Sequence, residues 1–225
     1  YWSFSGCFTY SARGLVRIVT TPFRIAFIAF IAFIPLPTAY AANAPNILII
    51  LADDMGYADM GCMGSQHLQT PHLDELAESG VLCTQAYVAS SVCSPSRAGL
   101  LTGRDPRRFG YEGNLNAAAS NYATRPELLG LPPGEHTLGD HLRSAGYTTA
   151  LVGKWHQGTG DLFHPNARGF DHFCGMLGGG HNYFPQPDTH KLERNGQRIQ
   201  EFSSPYLTDF FTDEALRWLT QVQKA

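Results

Sequence analysis

The distribution of apolar and polar positions predicts alternating strands and helices. Residues 46–51, Asn46-Ile47-Leu48-Ile49-Ile50-Leu51, are the kind of continuous apolar run that forms a parallel strand buried on both faces, ending at Asp53-Asp54. Thr70-Pro71 then opens a helix as cap and first helical residue, with Leu73, Leu76 and Ala77 inward and Gly80 closing it. Residues 81–88 read as a second strand. Residues 93–101 form a turn running into a short helix, with Pro95 near its first position and Gly103 beyond its end. A loop at 131–134 leads to a helix capped by Thr137, with Leu138, Leu142 and Ala145 inward and Gly146 at its end, and then to a strand over 147–152.

From Gly153 to about Pro205 the chain is rich in Gly, His and Pro and reads as long loops. Within them, residues 192–199 form a hairpin turning at Asn195-Gly196. Residues 208–222 close the pattern as a helix with Phe211, Ala215, Trp218, Leu219 and Val222 on one face. The class is therefore α/β with a mostly parallel sheet, in which ligands bind beyond the carboxyl ends of the strands.

The first 52 residues break this picture: they carry no carboxylate, and their only charges are Arg13, Arg17 and Arg24. An apolar run at 25–34 follows, then Pro35, Pro37 and the small-residue site Ala39-Tyr40-Ala41. That is the layout of a secretory signal peptide cleaved near Ala41. The run is too short to span the roughly 30 Å hydrocarbon layer, so no stable membrane anchor is expected. The division is thus an extension and signal peptide over 1–41 and one domain over 42–225. The protein is expected to be exported, to a periplasmic, extracellular or lysosome-like compartment. Net charge is −3 for the 225 residues, and removal of the three arginines makes the remainder more acidic, which argues against nucleic acid as a partner. The five cysteines have no C-x-x-C spacing, so neither zinc nor a disulfide pairing can be read from them.

Three clusters carry candidate chemistry. Asp53 and Asp54 are adjacent carboxylates at a strand end: either a hard cation such as calcium sits between them, or one caps the following helix. Lys154 and His156 lie two apart where the 147–152 strand ends, so on an extended chain an ammonium and an imidazole face one pocket, suited to an anionic ester. Cys93, at a helix start with Arg97 one turn on, lies in a field that favours anions and is either a reactive thiolate or a small buried side chain.

Cys93-Ser94-Pro95-Ser96-Arg97, followed by Ala-Gly-Leu-Leu-Thr-Gly-Arg, resembles the motif of the type I sulfatases, in which a maturation enzyme converts the cysteine to formylglycine. Pro45 to Leu48 through Asp53-Asp54-Met55-Gly56-Tyr57, Thr70 to Asp74, Tyr147 to His156 and Arg168-Gly169-Phe170-Asp171 are similar to further blocks of that family, in the same order. The resemblance implies an alkaline-phosphatase-like α/β/α sandwich with a mostly parallel central sheet, and hydrolysis of aryl or carbohydrate sulfates. It implies calcium held by Asp53, Asp54 and residue 93 as formylglycine, with Cys93 the nucleophile, Arg97 orienting it, Lys154 bridging nucleophile and sulfate, and His156 taking the proton that releases sulfate. His181, in Gly178-Gly179-Gly180-His181, is a candidate for contact with the substrate.

The expected partners are a sulfated small molecule or polysaccharide and the formylglycine-generating enzyme. The family's Asp-Asn metal pair and its later His and Lys are expected beyond residue 225, which reads the chain as the N-terminal part of a longer enzyme. The alternatives are a phosphodiesterase or phosphonate monoester hydrolase of the same superfamily, or a non-catalytic binder of sulfated glycans.

Overall fold

The computed structural model describes residues 44–115, 129–186 and 190–223. The expected signal peptide and its cleavage site lie outside them. Residues Leu51–Ala225 form one compact unit, and residues 44–50, outside that unit, carry no helix or strand and are exposed.

Among the described residues the sheet has four strands in the order β1 (Ala150–Lys154), β2 (His172–Met176), β3 (Leu192–Arg194) and β4 (Gln197–Arg198). β1 and β2 are parallel, with Ala150 opposite His172 and Lys154 opposite Met176, while β2–β3 and β3–β4 are antiparallel. The sheet among the described residues is thus mixed, a parallel pair extended by the expected hairpin. Asn195 and Gly196 have φ of 49° and 79°, the paired left-handed conformation of a type I′ turn. β1 begins three residues later than expected because the Tyr147 N–H is spent on Leu142 O, closing the preceding helix.

The described residues form four α-helices: α1 (Pro71–Ser79), α2 (Cys93–Thr102), α3 (Leu138–Ser144) and α4 (Leu207–Val222). α2 ends at Gly103, whose φ of 64° lets its N–H bond Gly99 O. α3 starts with a reciprocal capping box between Thr137 and Asp140. Thr70 stands at the N-cap of α1, as expected, but does not cap it with its side chain: the hydroxyl accepts from Gly61 N and donates to Asp74 Oδ1.

Two expected strands are not formed. Residues 46–51 and 81–88 carry no strand, and Leu48, Ile50, Val81 and Val88 are 73, 77, 90 and 71% exposed. An apolar run becomes a buried strand only when strands pair with it and layers cover it. The face expected to bury on α1 is open for the same reason, with Leu73 and Leu76 exposed. α4 buries Leu207, Phe210 and Glu214, a face rotated from the expected one, and Leu219 and Val222 are exposed. The rotation follows from the partner surface: Leu207 and Phe210 pack on Cys174 and Leu192 of the sheet and on Ile199 just past it.

Glu214 fixes that docking. Its carboxylate accepts from Arg194, Arg217 and His172 and is 3% exposed. Burial pushes its pKa up, but the hydrogen bonds from the two arginines outweigh this and hold it at about 2. A second anchor is Trp155, after β1, packed edge-on to Phe170 with its indole N–H on Phe163 O at 2.8 Å. Arg168 of the Arg-Gly-Phe-Asp block is buried and donates to Leu131 O and Glu135 O, so that block ties loops to the core.

Candidate active site

The N-terminus of α2 brings Cys93 to the end of β1. Cys93 is the first residue of the helix, after a Val92 cap that offers no side-chain acceptor. His156 lies two residues past β1, at φ 57°, so the extended alternation expected through 154–156 is broken at the histidine. The imidazole Nδ1 comes to 3.3 Å from Cys93 Sγ, and Asn114 Oδ1 lies 3.5 Å from the same sulfur. Asn114 also accepts from Ser94 N at 3.0 Å, pinning the first turn of α2.

Arg97 and Lys154 meet on one carboxylate. Arg97 Nη2 is 3.1 Å from Asp53 Oδ1, and Lys154 Nζ is 2.7 Å from Asp53 Oδ2. A second bond, from Arg97 Nη1 to Lys154 O at 2.8 Å, ties α2 to β1. Burial raises the Asp53 pKa, but the hydrogen bonds from Lys154 and Arg97 win and hold it below the usual carboxylate range. Two cations share that one carboxylate, so the corner is electropositive. Arg97 Nε is buried without a partner, a donor left over for an anion. Burial, then the charges of Lys154 and Arg97, lower the His156 pKa to about 4, which keeps its imidazole neutral at physiological pH.

Asp54 is exposed, at φ 59°. Neither aspartate stands at a helix N-cap: Met60 holds that position for the next helical turn, Gly61–Met63, and Thr70 holds it for α1. Their oxygens are hard donors of the kind calcium selects, but calcium takes six to eight. Among the described residues no group of three His, Cys, Asp or Glu side chains is placed to hold a metal. The pair fits calcium in kind and supplies part of a coordination shell. Residue 93 fits formylglycine on a separate ground, since His156 and Asn114 both lie within reach of its γ position, and a geminal diol has two hydroxyls to engage them where a thiol has one proton.

His181 is not drawn to this group: its Nδ1 is bonded to Asn182 O, and its Nε2 accepts from Lys191 N. It lines a cavity of about 700 Å³ with Thr159, Asn182, Gln186, Lys191 and Glu193. That cavity is bounded by the segment 177–180, which also touches His156: Leu177 O accepts the His156 N–H, and a Cβ on Gly179 would fall 2.6 Å from the imidazole Nε2. Gly179 lies within the stretch whose composition predicts long loops, and nothing local in the sequence marks the contact. Gln157, fully buried beside His156, carries no local signal either: its sequence neighbours are His156 and Gly158, and its burial comes from distant parts of the chain. The four described cysteines are free, and none of the described helices is long and apolar enough to cross a membrane.

The family model described as Sulfatase matches residues 45–225. The chain is 40% identical over 203 residues to the N-acetylgalactosamine-6-sulfatase of Mus musculus, a match covering 84% of this chain and 39% of the relative. It is 45% identical over 148 residues to the steryl-sulfatase of the same species, covering 63% and 23%. The crystal structure of Ps i-CgsB superposes with a TM-score of 0.71 at 39% identity, over 80% of this chain and 42% of that one. The structure of Ps i-CgsB in complex with k-i-k-neocarrahexaose superposes with a TM-score of 0.67 at 38% identity. The chain spans less than half the length of each of these relatives. With the two solved structures it shares the alkaline-phosphatase-like α/β fold.

Proposed function

The chain belongs to the sulfatase family, and from that premise we propose that the protein hydrolyses sulfate esters with residue 93 as the nucleophile. The observation that carries the reading is the 3.3 Å approach of His156 Nδ1 to Cys93 Sγ, beside a corner where Arg97 and Lys154 share one carboxylate.

Conversion of Cys93 to hydrated formylglycine, by an external maturation enzyme, supplies two hydroxyls on one carbon: one to attack sulfur, the other to expel sulfate without water attacking sulfur. His156, neutral down to about pH 4, is the base for the second hydroxyl. Lys154 and Arg97 offset the charge on the sulfate oxygens and orient the nucleophile, and the unpartnered Arg97 Nε is a donor available to them. Asp53 and Asp54 would contribute oxygens to calcium, whose charge would polarise the sulfate and favour the ionised nucleophile.

The alcohol half of the substrate is assigned to sulfated carbohydrates. The cavity beside the 177–180 segment is lined by amide, hydroxyl, imidazole, ammonium and carboxylate groups together with Met176 and Leu177, a mixture that suits the hydroxyls and the apolar ring faces of a sugar. His181 belongs to that lining, in contact with the sugar rather than the sulfate. Export through the N-terminal segment would bring the enzyme to such substrates.

The test is production of the intact protein with and without a formylglycine-generating enzyme. The peptide containing Cys93 should lose the mass of a thiol-to-aldehyde conversion only in its presence, and cleavage of 4-nitrophenyl sulfate should track that conversion. An active enzyme with an unmodified thiol overturns the mechanism. Faster cleavage of aryl phosphodiesters than of aryl sulfates moves the reading to a phosphodiesterase.

A further inference from the structure

His156 stands in a backbone conformation that a non-glycine residue avoids, with φ at 57°. Such a residue persists only where its surroundings over-determine it. What determines it here is a set of buried hydrogen bonds that converge on its carbonyl. Ser94 Oγ reaches His156 O at 2.6 Å, and Gln157 Nε2 reaches the same oxygen at 2.7 Å. Gln157 Nε2 also reaches Ser94 O at 2.8 Å, so both of its N–H groups are used. Ser94 Oγ is further bonded to Tyr111 Oη at 2.9 Å.

Counting protons gives these bonds a direction. The serine hydroxyl has one proton, and the His156 carbonyl can only accept, so Ser94 donates to His156 and Tyr111 donates to Ser94. The Gln157 amide is oriented too: turned over, its oxygen would face two carbonyl oxygens. Its Oε1 is buried without a partner, so the orientation is set by the two bonds from Nε2 alone. Ser94 and Gln157 are both fully buried and Tyr111 is nearly so. Each member of the reacting pair is covalently next to a member of this set, Cys93 to Ser94 and His156 to Gln157. The Gln157 side chain therefore joins the two backbones at the point where they must stay in register.

We infer that Gln157, with Ser94 and Tyr111, is a positioning device that holds His156 in its left-handed turn and so keeps the imidazole against residue 93. None of the three touches the reacting atoms with its side chain. They act through the His156 carbonyl and the first turn of α2. The role rests on the proposed reaction at residue 93, but the geometry it maintains exists in the unconverted thiol form as well.

The experiment uses the intact protein, with turnover normalised to the formylglycine content measured by mass. Gln157→Met keeps the length and loses both donors, and Ser94→Ala loses the hydroxyl where Ser94→Thr keeps it. Gln157→Met and Ser94→Ala should each lower kcat on 4-nitrophenyl sulfate at least tenfold with KM within about twofold, and Ser94→Thr should restore most of it. Unchanged kcat in Gln157→Met, or a rise in KM alone, overturns the inference. So does a loss in Ser94→Thr equal to that in Ser94→Ala. If the wild-type protein cleaves no sulfate ester, the functional reading fails and the positioning role is judged on the thiol. Alkylation of Cys93 by iodoacetamide, followed on its own peptide, should change at least threefold in Gln157→Met and in Ser94→Ala, because the imidazole that lies 3.3 Å from the sulfur moves away. Equal alkylation rates in all forms overturn it. A thermal midpoint measured on each variant separates displacement of His156 from unfolding, and an activity loss that only accompanies a fallen midpoint also counts against the role.

Discussion

His156 Nδ1 lies 3.3 Å from Cys93 Sγ, two side chains separated by 63 positions in the chain. The contact joins a helix N-terminus to the end of a strand. Its chemical value depends on the protonation of the imidazole, which burial and the neighbouring Lys154 and Arg97 charges keep neutral down to about pH 4. Removing that base while leaving residue 93 in place should separate the two halves of a turnover. In His156→Ala, steady-state kcat should fall by about 10²–10⁴-fold, while the first equivalent of alcohol per converted site is still released as a burst. Stopped-flow measurement with 4-nitrophenyl sulfate checks this, and absence of a burst rejects His156 as the releasing base.

Gly179 gives a steric test of the same imidazole. A Cβ there would lie 2.6 Å from His156 Cε1 and Nε2, closer than carbon and nitrogen can pack. Gly179→Ala should displace the ring and lower kcat at least tenfold, with formylglycine conversion unchanged. Gly178→Ala, which meets nothing within 4 Å, should have a small effect. Steady-state kinetics on both variants decide it, and equal behaviour would show that the 177–180 segment yields freely.

Asp53 pairs with Arg97 and Lys154 and, with Asp54, is a proposed calcium ligand, and substitutions separate these two parts. Asp53→Asn removes the carboxylate that Arg97 and Lys154 share, whereas Asp54→Asn leaves those ion pairs intact. Both should weaken calcium binding by titration calorimetry, since each removes a charged oxygen. Only Asp53→Asn should also weaken substrate orientation at saturating calcium. Normal calcium affinity in both variants would reject the metal assignment.

The Glu214 cluster sets the acid limit of stability. A carboxylate held at about 2 in the folded protein and near 4.5 when unfolded contributes stability that is present above pH 4.5 and lost as pH falls through about 2. The shift corresponds to roughly 3 kcal/mol. His172, whose pKa burial also lowers, adds an acid-side loss that begins at higher pH, as the unfolded histidine gains its proton. Glu214→Gln should therefore be less stable at pH 7 by about 3–5 kcal/mol. Its stability should fall less steeply than that of wild type between pH 4.5 and 2. Urea titrations at stepped pH measure both.

Where the sequence was decisive, the information was local. Proline and glycine positions marked α2, Thr137 marked the start of α3, and Asn195-Gly196 marked a hairpin whose turn needs two left-handed residues. The residues at the candidate site were legible for a related reason: Cys93, Arg97, Lys154 and His156 sit where a helix starts or a strand ends, and the order of short blocks around them pointed to the family. What stayed out of reach depends on partners distant in the chain. Residues 46–51 and 81–88 have the composition of buried strands, yet whether such a run is buried is decided by which strands pair with it. The buried face of α4 was misjudged because Glu214, polar in sequence, is taken inside by Arg194 and His172 from other elements. The same holds at the centre of the site. Composition says that Gln157 and Tyr111 are polar, and only the tertiary structure spends their donors on Ser94 and on the carbonyl of His156.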